Sequence, residues 1–326
     1  MKVVIADKAE QSLVDGLGAL GCEVHLDPSL DGASLEACLG EQQPEVLVVR
    51  STKVPAAAIE KGAPALKLII RAGSGYDNID GKAAHGQDVA VCNTPGMNAV
   101  AVAELAMGHL ISLDRRLCDQ NAQLKAGHWN KKEFSKARGL KGSTLLVVGA
   151  GAIGREVVTR AKAFGIEVSI FDPNITEQEI ERLGASPVEG SRSALLAALP
   201  GFDAVSMHVP AIESTKGMCD SAFFEAMKPG ASFVNTSRGA IVDEPALIAA
   251  VQTGKIRAGL DVYCDQPSEK DTPWETPVAE LDGVYCSHHC GASTDQAQNA
   301  VAEEVVRMVR LYKSDRAIVH CVNGVA

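Results

Sequence analysis

Short apolar runs alternate with helical stretches over the first hundred residues of the chain. Several of the runs are closely followed by Gly, Asp or Asn, which is typical of strands that end in turns. The alternation predicts β-α-β units and hence a parallel sheet. The predicted strands are residues 3–6, 24–26, 46–49, 68–70 and 89–92, and the predicted helices are 10–20, 35–39 and 56–61.

A second alternating series begins at residue 143. It follows the same plan as the first and predicts a second parallel sheet with crossover helices. The sequence therefore predicts an α/β protein with two doubly wound parallel-sheet domains. The predicted strands of this series are residues 143–149, 167–172, 204–208, 232–235, 258–262 and 283–287, with helices at 155–163 and 246–253.

Two long helical stretches flank the second series. Residues 98–117 are apolar on more than one face, and Asn98 is the predicted N-cap. A helix of this kind is usually buried between domains or at a subunit interface. Residues 292–311 have the spacing of one long helix, which we expect to return to the first domain.

Charge and cysteine content narrow the function classes. The formal net charge is −10, and diffuse negative charge repels both phosphate backbones and anionic lipids. We therefore expect neither nucleic acid nor a membrane as the main partner. The first residues, MKVVIADKAE, lack a signal-peptide pattern, and the nine cysteines form no small-domain framework. A cytoplasmic protein with reduced thiols fits these features.

A glycine-rich turn follows the first strand of the second series. Gly149, Gly151 and Gly154 have the GxGxxG spacing directly before a helical pattern. Such glycines allow a tight turn, close approach of the backbone to a pyrophosphate and close helix–strand packing. Asp172 ends the next strand, where a carboxylate accepts from both ribose hydroxyls and repels a 2′-phosphate. The pattern favours NAD over NADP as the cofactor.

Seven short motifs occur along nearly the whole chain. In this order they resemble the D-isomer-specific 2-hydroxyacid dehydrogenase family, and most of all the short members of its 3-phosphoglycerate dehydrogenase branch. Longer members carry a C-terminal regulatory domain that binds serine, which we do not expect here. The motifs are RAGSGYDNID, NTPGMNAVAVAEL, VGAGAIGREV, MHVPAIEST, NTSRGAIVDEPAL, AGLDVY and HHCGAST.

The resemblance implies two domains with different functions. A split, flavodoxin-like substrate-binding domain would comprise residues 1–98 and 290–326, and a Rossmann NAD-binding domain residues 99–289. The implied reaction is the oxidation of 3-phospho-D-glycerate to 3-phosphohydroxypyruvate by hydride transfer to NAD, a step of serine biosynthesis. Family habit and the apolar helix at 98–117 suggest a homodimer.

Three catalytic roles follow from the same resemblance. Arg238 matches the arginine that grips the substrate carboxylate, and a guanidinium keeps its charge when partly buried. His289 matches the acid/base, whereas His288 takes a place usually held by proline and is assigned no role. Gln266 stands where the family places the glutamate that partners this histidine.

Three consequences of Gln266 stay open at this point. Either the enzyme works with a more weakly basic histidine, or its substrate needs no proton transfer, as in the family's formate dehydrogenases, which pair glutamine with this histidine. Alternatively Asp265 substitutes as the carboxylate after a small shift of the loop.

The binding residues implied by the resemblance fall into two sets. Two arginines at the ends of adjacent predicted strands, Arg50 and Arg71, favour a small anionic, phosphorylated substrate. The full substrate set is Arg50, Lys53, Arg71, Ser74, Gly75, Asn98 and Lys131, the last of which relatives contribute across a dimer interface. The NAD set is Gly149, Gly151, Ala152, Ile153, Gly154, Asp172, His208, Val209, Pro210, Thr215, Thr236, Ser237, Asp261 and Gly291.

Other functions compete with this interpretation. One is a reductase or dehydrogenase of another small 2-hydroxy acid, such as glyoxylate or hydroxypyruvate, or an enzyme like formate dehydrogenase. Another is an NAD-sensing binding protein like the corepressors that share this fold. The string of Cys286, His288, His289 and Cys290 is too compact for a tetrahedral zinc site, so we expect no metal.

Overall fold

The structure is a computed structural model that describes residues 1–267 and 271–325. The chain forms two compact units. Unit 1 comprises Met1–Asn98 and Ser293–Ala326, and unit 2 comprises Ala99–Ala292. The second boundary lies slightly after the predicted position at 290, because the backbone N–H groups of Cys290 and Gly291 bind the side chain of Asp261 in unit 2.

The described residues form a five-stranded sheet in unit 1 and a seven-stranded sheet in unit 2, and the paired strands of both are parallel. The strands are β1 Lys2–Ile5, β2 Glu23–Leu26, β3 Val46–Val49, β4 Leu68–Arg71, β5 Ala90–Asn93, β6 Thr144–Val148, β7 Glu167–Phe171, β8 Ser186–Val188, β9 Ala204–Met207, β10 Ala231–Asn235, β11 Ile256–Leu260 and β12 Val284–Cys286.

Helices connect most of the successive strands. The α-helices are α1 Gln11–Ala19, α2 Gly32–Gln42, α3 Ala56–Gly62, α4 Gly81–Gly86, α5 Ala99–Arg115, α6 Leu117–Lys125, α7 Ala152–Ala163, α8 Glu177–Arg182, α9 Arg192–Ala198, α10 Ser221–Ala226, α11 Glu244–Gln252 and α12 Asp295–Asp315. Short 3-10 helices occur at Glu133–Lys136, Leu199–Gly201, Gly239–Ile241 and Pro277–Glu280. Within the described ranges, none of the helices has the length and apolar character needed to cross a membrane.

Strand order confirms the predicted fold class. The sheet of unit 1 has the order β2-β1-β3-β4-β5, which is the flavodoxin-like order. The sheet of unit 2 has the order β12-β11-β10-β9-β6-β7-β8, which is the Rossmann order with one further strand. In each sheet the order in which strands are added reverses at one point, between β1 and β3 or between β6 and β9. Ligands of such folds bind beyond the carboxyl ends of the strands at this reversal point.

Apolar residues on both faces explain why these strands form the centres of the units. Successive side chains of a strand point to opposite faces. In unit 1, Val4 and Leu47 pack on the side of α2 and α3, whereas Val3 and Val48 pack on the side of α1 and α12. Unit 2 repeats this arrangement, and its buried strands therefore read as continuous apolar runs.

The long helix predicted at 98–117 corresponds to α5, which ends two residues earlier than predicted and is followed by a second helix, α6. Helix α5 begins directly after Asn98, as predicted, but ends at Arg115, because Arg116 has a left-handed backbone with φ of 53°. The Arg116 guanidinium binds Asp119 at 2.9 Å and Glu133 at 2.5 Å. The apolar face of α5 packs on α7, β10 and β11 within unit 2, so burial inside this unit accounts for its apolar character.

The last long helix also differs from its prediction. Helix α12 begins at Asp295 rather than at residue 292, because the Thr294 hydroxyl caps it by accepting from the N–H of Ala297. It continues to Asp315, and Arg316 ends it in the left-handed conformation. Strand β8 and the short helices α4, α6, α8, α9 and α10 were not predicted.

Candidate active site and cofactor site

The glycine turn after β6 has the geometry of a dinucleotide-binding loop. A Cβ on Gly149, whose φ is 93°, would lie 2.7 Å from the carbonyl oxygen of His208, so only glycine fits there. A Cβ on Gly154 would lie 2.0 Å from the carbonyl oxygen of Gly149, which shows how closely α7 approaches the turn. Both contacts lie at the reversal point between β6 and β9.

The N-terminus of α7 fits the pyrophosphate of NAD. Its N-cap is Gly151, which has no side chain to occupy the first-turn N–H groups and leaves open space where a Cβ would be. Uncapped N–H groups and the helix dipole attract phosphate. Ala152, the first helical residue, is exposed, and Ile153 packs partly into the core beneath it.

Asp172 follows β7 and faces the glycine turn. Its Oδ2 accepts from the N–H of Ala150 at 2.8 Å, and its Oδ1 accepts from the N–H of Asn174 at 2.9 Å. An ionised carboxylate has about four acceptor positions, so these bonds fix the group and leave it able to accept from ribose hydroxyls. The geometry fits the role expected of it in NAD binding.

The segment after β9 forms the other side of this reversal point. His208 Nε2 lies 2.8 Å from the Ser206 hydroxyl, and burial lowers the pKa of His208 to about 3. The imidazole is therefore neutral at ordinary pH. Beyond Val209, the Thr215 hydroxyl accepts from the N–H of Ile212 at 2.9 Å and donates to the carbonyl oxygen of Pro210 at 2.5 Å, which closes a compact turn.

Arg238 lies in the loop after β10, which Asn235 organises. Asn235 Oδ1 accepts from the backbone N–H and the hydroxyl of Ser237, at 3.0 and 2.8 Å, and its Nδ2 donates to the carbonyl oxygen of Arg238 at 2.9 Å. Thr236 and Ser237 are buried in this loop, whereas Arg238 is partly exposed. The loop thus places the guanidinium at the carboxyl edge of the sheet.

His289 and Gln266 are in contact. Gln266 Nε2 lies 2.5 Å from His289 Nδ1, and Gln266 Oε1 lies 3.2 Å from the backbone nitrogen of Tyr263. A backbone N–H can only donate, so the amide oxygen faces Tyr263 and the amide nitrogen donates to His289 Nδ1. The remaining proton of a neutral imidazole then sits on Nε2. Gln266, rather than the exposed Asp265, occupies the position beside the imidazole.

Asp261 lies directly after β11 and is 1% exposed. Its Oδ1 accepts from the Ser287 hydroxyl at 2.6 Å and the N–H of Cys290 at 2.9 Å, and its Oδ2 accepts from the N–H of Gly291 at 2.9 Å. The carboxylate is thus engaged by the loop that carries His289. Its expected contact with the nicotinamide carboxamide stays a prediction.

A second group of candidates lies at the carboxyl edge of the sheet in unit 1. The Asp7 carboxylate, after β1, accepts from the N–H groups of Arg50, Ser51 and Thr52 at 2.6, 3.1 and 3.1 Å. Burial raises the pKa of Asp7, but these bonds and that from the Ser51 hydroxyl outweigh it, so the pKa is below its usual range. The backbone donors after β3 are therefore taken by the protein's own carboxylate.

The Arg50 side chain is held by neutral groups. Its Nη1 donates to Gln298 Oε1 at 3.1 Å, and its Nη2 donates to the Ser293 hydroxyl at 3.4 Å. Neither partner carries charge, so both orient the guanidinium without compensating it. Arg71, at the end of β4, lies over Gly73, where a Cβ would be 1.7 Å from Arg71 Nη1.

The loop that contains Ser74 and Gly75 is fixed from two directions. Asn93 Nδ2 donates to the carbonyl oxygen of Ser74 at 2.6 Å, and the Ser74 hydroxyl donates to Asn98 Oδ1 at 2.7 Å. Lys53 is exposed in the loop after β3. Lys131 is exposed in unit 2.

Several residues that shape these sites were not predicted from the sequence. Asp7, Ser287, Asn235 and Gln298 each hold a candidate in place, as does the backbone of Tyr263. His109 of α5, whose Nε2 lies 3.1 Å from the Ser287 hydroxyl, stands out in the sequence because it is the one histidine of residues 99–115, which are mainly apolar. Among residues 1–267 and 271–325, no group of three or more His, Cys, Asp or Glu side chains is arranged to hold a metal ion.

A Rossmann-type unit with this turn, an uncapped helix N-terminus and an acidic strand end defines a dinucleotide-binding protein. Residues 107–291 match the family model described as D-isomer specific 2-hydroxyacid dehydrogenase, NAD binding domain. The chain belongs to this family, and its cofactor is NAD.

Three relatives illustrate the range of the family. The chain is 38% identical over 316 residues to D-3-phosphoglycerate dehydrogenase of Methanocaldococcus jannaschii, covering 95% of the chain but only 58% of that protein. It is 41% identical to hydroxypyruvate reductase of Thermotoga maritima, covering 81% of the chain and 83% of that protein. The NAD⁺-bound 3-phosphoglycerate dehydrogenase of Entamoeba histolytica superposes with a TM-score of 0.80 at 25% identity, covering 99% of this chain and 98% of that one.

Proposed function

We propose that the protein is an NAD-dependent dehydrogenase of D-2-hydroxy acids and that its substrate is 3-phospho-D-glycerate, which it oxidises to 3-phosphohydroxypyruvate in serine biosynthesis. The observation that carries the choice of substrate is the Arg50 guanidinium at the end of β3, oriented by Gln298 and Ser293 but not neutralised by them. The similarity to phosphoglycerate dehydrogenases supports the same choice.

Three residues of unit 2 have separate roles in the proposed reaction, namely Arg238, His289 and Gln266. NAD held by the glycine turn and Asp172 would supply the acceptor for the hydride of C2 of the hydroxy acid. Arg238 binds the substrate carboxylate through its planar guanidinium and polarises the oxygen on C2. His289 accepts the hydroxyl proton at Nε2. For this step the ring must hold its own proton on Nδ1 rather than on Nε2. The Gln266 amide therefore turns so that its oxygen accepts from Nδ1–H, and Nε2 is then open to the hydroxyl proton.

The arrangement of Gln266 supports a second candidate, the reduction of a keto acid such as hydroxypyruvate or glyoxylate. As the amide stands, it favours a neutral imidazole with the proton on Nε2. Such a ring donates a hydrogen bond that polarises a carbonyl oxygen without any rearrangement. To supply the proton of the new hydroxyl group, the ring first takes up a proton from solvent at Nδ1, and the Gln266 amide turns its oxygen toward it. The similarity to a hydroxypyruvate reductase points the same way.

Replacing Arg50 with glutamine is expected to raise KM for 3-phosphoglycerate about 10- to 100-fold, the equivalent of one lost charge-assisted hydrogen bond. KM for D-glycerate, which lacks the phosphate, should stay unchanged. The measurement is NADH fluorescence with each acid and NAD, and with the matching keto acids and NADH. Arg310→Gln, an exposed arginine of α12, is the control.

Each alternative predicts a different result in this experiment. An equal rise for D-glycerate would mean that Arg50 supports the loop rather than phosphate. Turnover of hydroxypyruvate or glyoxylate alone would establish the second candidate. NADH binding without turnover of any acid would identify an NAD-sensing binding protein instead.

We also propose that the protein is a homodimer formed through α6 and the segment that follows it. Helix α6 buries none of its residues, and it exposes Leu117 and Leu124, the latter by 56%. Trp129 is 75% exposed and lines a groove of about 300 Å³ with Leu124 and Phe134. Exposed apolar side chains grouped in this way mark an interaction surface.

Trp129→Ser is expected to shift the protein from a dimer to a monomer of 34.2 kDa. The physical reason is the loss of the largest apolar side chain of the surface, since tryptophans often dominate interfaces. Light scattering after gel filtration measures the mass. Phe164→Ser removes an aromatic side chain that is exposed elsewhere, and it should leave the dimer intact. A wild-type protein that elutes as a monomer would refute the proposal.

A further inference from the structure

His109 is a buried polar residue that the proposed chemistry does not use. It lies in α5, is 6% exposed, and its Nε2 lies 3.1 Å from the Ser287 hydroxyl. Ser287 Oγ in turn lies 2.6 Å from Asp261 Oδ1. A chain of hydrogen bonds therefore connects the interior helix to the carboxylate beneath the loop that carries His289.

The donor and the acceptor of each of these hydrogen bonds follow from the protons available. A hydroxyl has one proton, and an ionised carboxylate only accepts. The Ser287 proton therefore goes to Asp261, and His109 Nε2 must donate to Ser287. Burial lowers the pKa of His109 more than the charge of Asp261 raises it, so the ring is neutral at ordinary pH and holds its one proton on Nε2.

The neighbouring strand is shaped around this histidine. A Cβ on Gly259 of β11 would lie 2.7 Å from the Cβ of His109 and 3.0 Å from its Nδ1. No side chain fits at that distance, so glycine allows α5 to come close enough for His109 to reach Ser287. The close packing leaves the imidazole little freedom to turn.

Asp261, at the other end of this series of hydrogen bonds, controls the backbone around His289. Asp261 accepts from the N–H groups of Cys290 and Gly291, the two residues that follow His289. His289 itself has φ of 50°, a left-handed conformation uncommon for residues other than glycine. A conformation of this kind persists only when its surroundings hold it.

We propose that His109 is a positioning residue for proton transfer: through Ser287 it orients the Asp261 carboxylate, which holds the backbone of the His289 loop. This inference rests on the proposed function in one respect, the role of His289 as the proton acceptor. His109 itself contacts neither substrate nor cofactor in this proposal.

Two variants of His109 distinguish the effect of its hydrogen bond from the effect of its packing. Gln and Met have similar length and shape, but only the amide of His109→Gln donates at the place of Nε2. His109→Met is expected to lower kcat about tenfold or more, because small misplacements of a catalytic group are costly. His109→Gln should retain most of kcat, and both should bind NADH as the wild type does. Ser287→Ala breaks the chain without altering α5 and should resemble His109→Met.

A second readout does not depend on turnover. Protein labelled with ¹⁵N-histidine reports the tautomer of each ring, and the signals of His289 are those lost in His289→Asn. The wild type should show His289 protonated on Nε2, as its bond to Gln266 requires. In His109→Met and Ser287→Ala the two nitrogens of His289 should move toward averaged shifts, whereas in His109→Gln they should not.

These measurements separate failure of the inference from failure of the proposed function. If no hydroxy acid is turned over, the proposed function fails, and the His289 signals still decide the role of His109. Unchanged kcat and unchanged His289 signals in His109→Met and Ser287→Ala would overturn the inference. Equal loss in His109→Gln and His109→Met, with wild-type His289 signals, would overturn it as well, because packing alone would then account for the loss.

Discussion

The variant His289→Asn is expected to lower kcat by about 10²- to 10⁴-fold, the usual contribution of a positioned general acid or base. Asparagine can take part in hydrogen bonds at this position, but it cannot accept and release a proton. NADH binding should be unchanged, because the glycine turn and Asp172 are left intact. Stopped-flow absorbance of NADH with 3-phosphoglycerate or its keto acid measures the rate, and fluorescence titration measures binding.

The neighbouring histidine is the matched control for this variant. His288 is exposed and precedes His289 directly, so His288→Asn makes the same chemical change one residue away. It should retain kcat within about twofold, as surface substitutions generally do. If the two variants lose activity equally, the loop rather than the imidazole is sensitive to change. If neither loses activity, proton transfer by His289 is wrong.

Apolar runs were a good guide to the centre of each sheet because those strands are buried on both faces. Strands β3 and β4 each begin at the predicted residue, 46 and 68. Strand β8 was missed because Ser186–Val188 is short, contains a proline and lies at the edge of its sheet, where few apolar side chains are needed. The pattern of apolar residues cannot reveal such strands, because the pattern arises only where side chains are buried.

The end of α5 was predicted two residues too late, at residue 117 instead of Arg115. No glycine or proline marks the position, and the residue that turns the chain is Arg116. Its left-handed backbone accompanies ion pairs with Asp119 and with Glu133, and the second partner is distant in sequence. A break of this kind depends on a tertiary contact rather than on a propensity.

Motifs located the candidate residues, but they did not show what holds them. The glycine spacing and Asp172 were sufficient to predict a dinucleotide turn, because the constraints there are steric and local. The partners of Arg50 and His289 are not local: Gln298 lies 248 residues from Arg50, and Gln266 lies 23 residues from His289. Contacts of this range follow from the strand order, which no single motif encodes.

Alanine substitutions at two glycines of the turn are predicted to affect different properties. Gly154→Ala should lower the stability of unit 2, whereas Gly151→Ala should weaken NADH binding. A Cβ at residue 154 would overlap the carbonyl oxygen of Gly149 at 2.0 Å, and neither backbone segment can move without parting α7 from β6. Gly154→Ala is therefore expected to destabilise unit 2 by about 3 kcal/mol or more, the upper range for overpacked cores. Urea unfolding followed by circular dichroism measures the change in the free energy of unfolding.

Gly151→Ala is the matched variant, and it tests the cofactor rather than the fold. At residue 151 φ is −67° and nothing lies within 4 Å of a Cβ, so the loss of stability should stay below about 1 kcal/mol, the cost of alanine at an N-cap. The new methyl group would stand where the pyrophosphate approaches the helix N-terminus, and Kd for NADH should rise at least about tenfold. Unchanged NADH affinity in a folded Gly151→Ala protein would place the pyrophosphate elsewhere, whereas a Gly154→Ala protein as stable as the wild type would mean that α7 is free to move away from the turn.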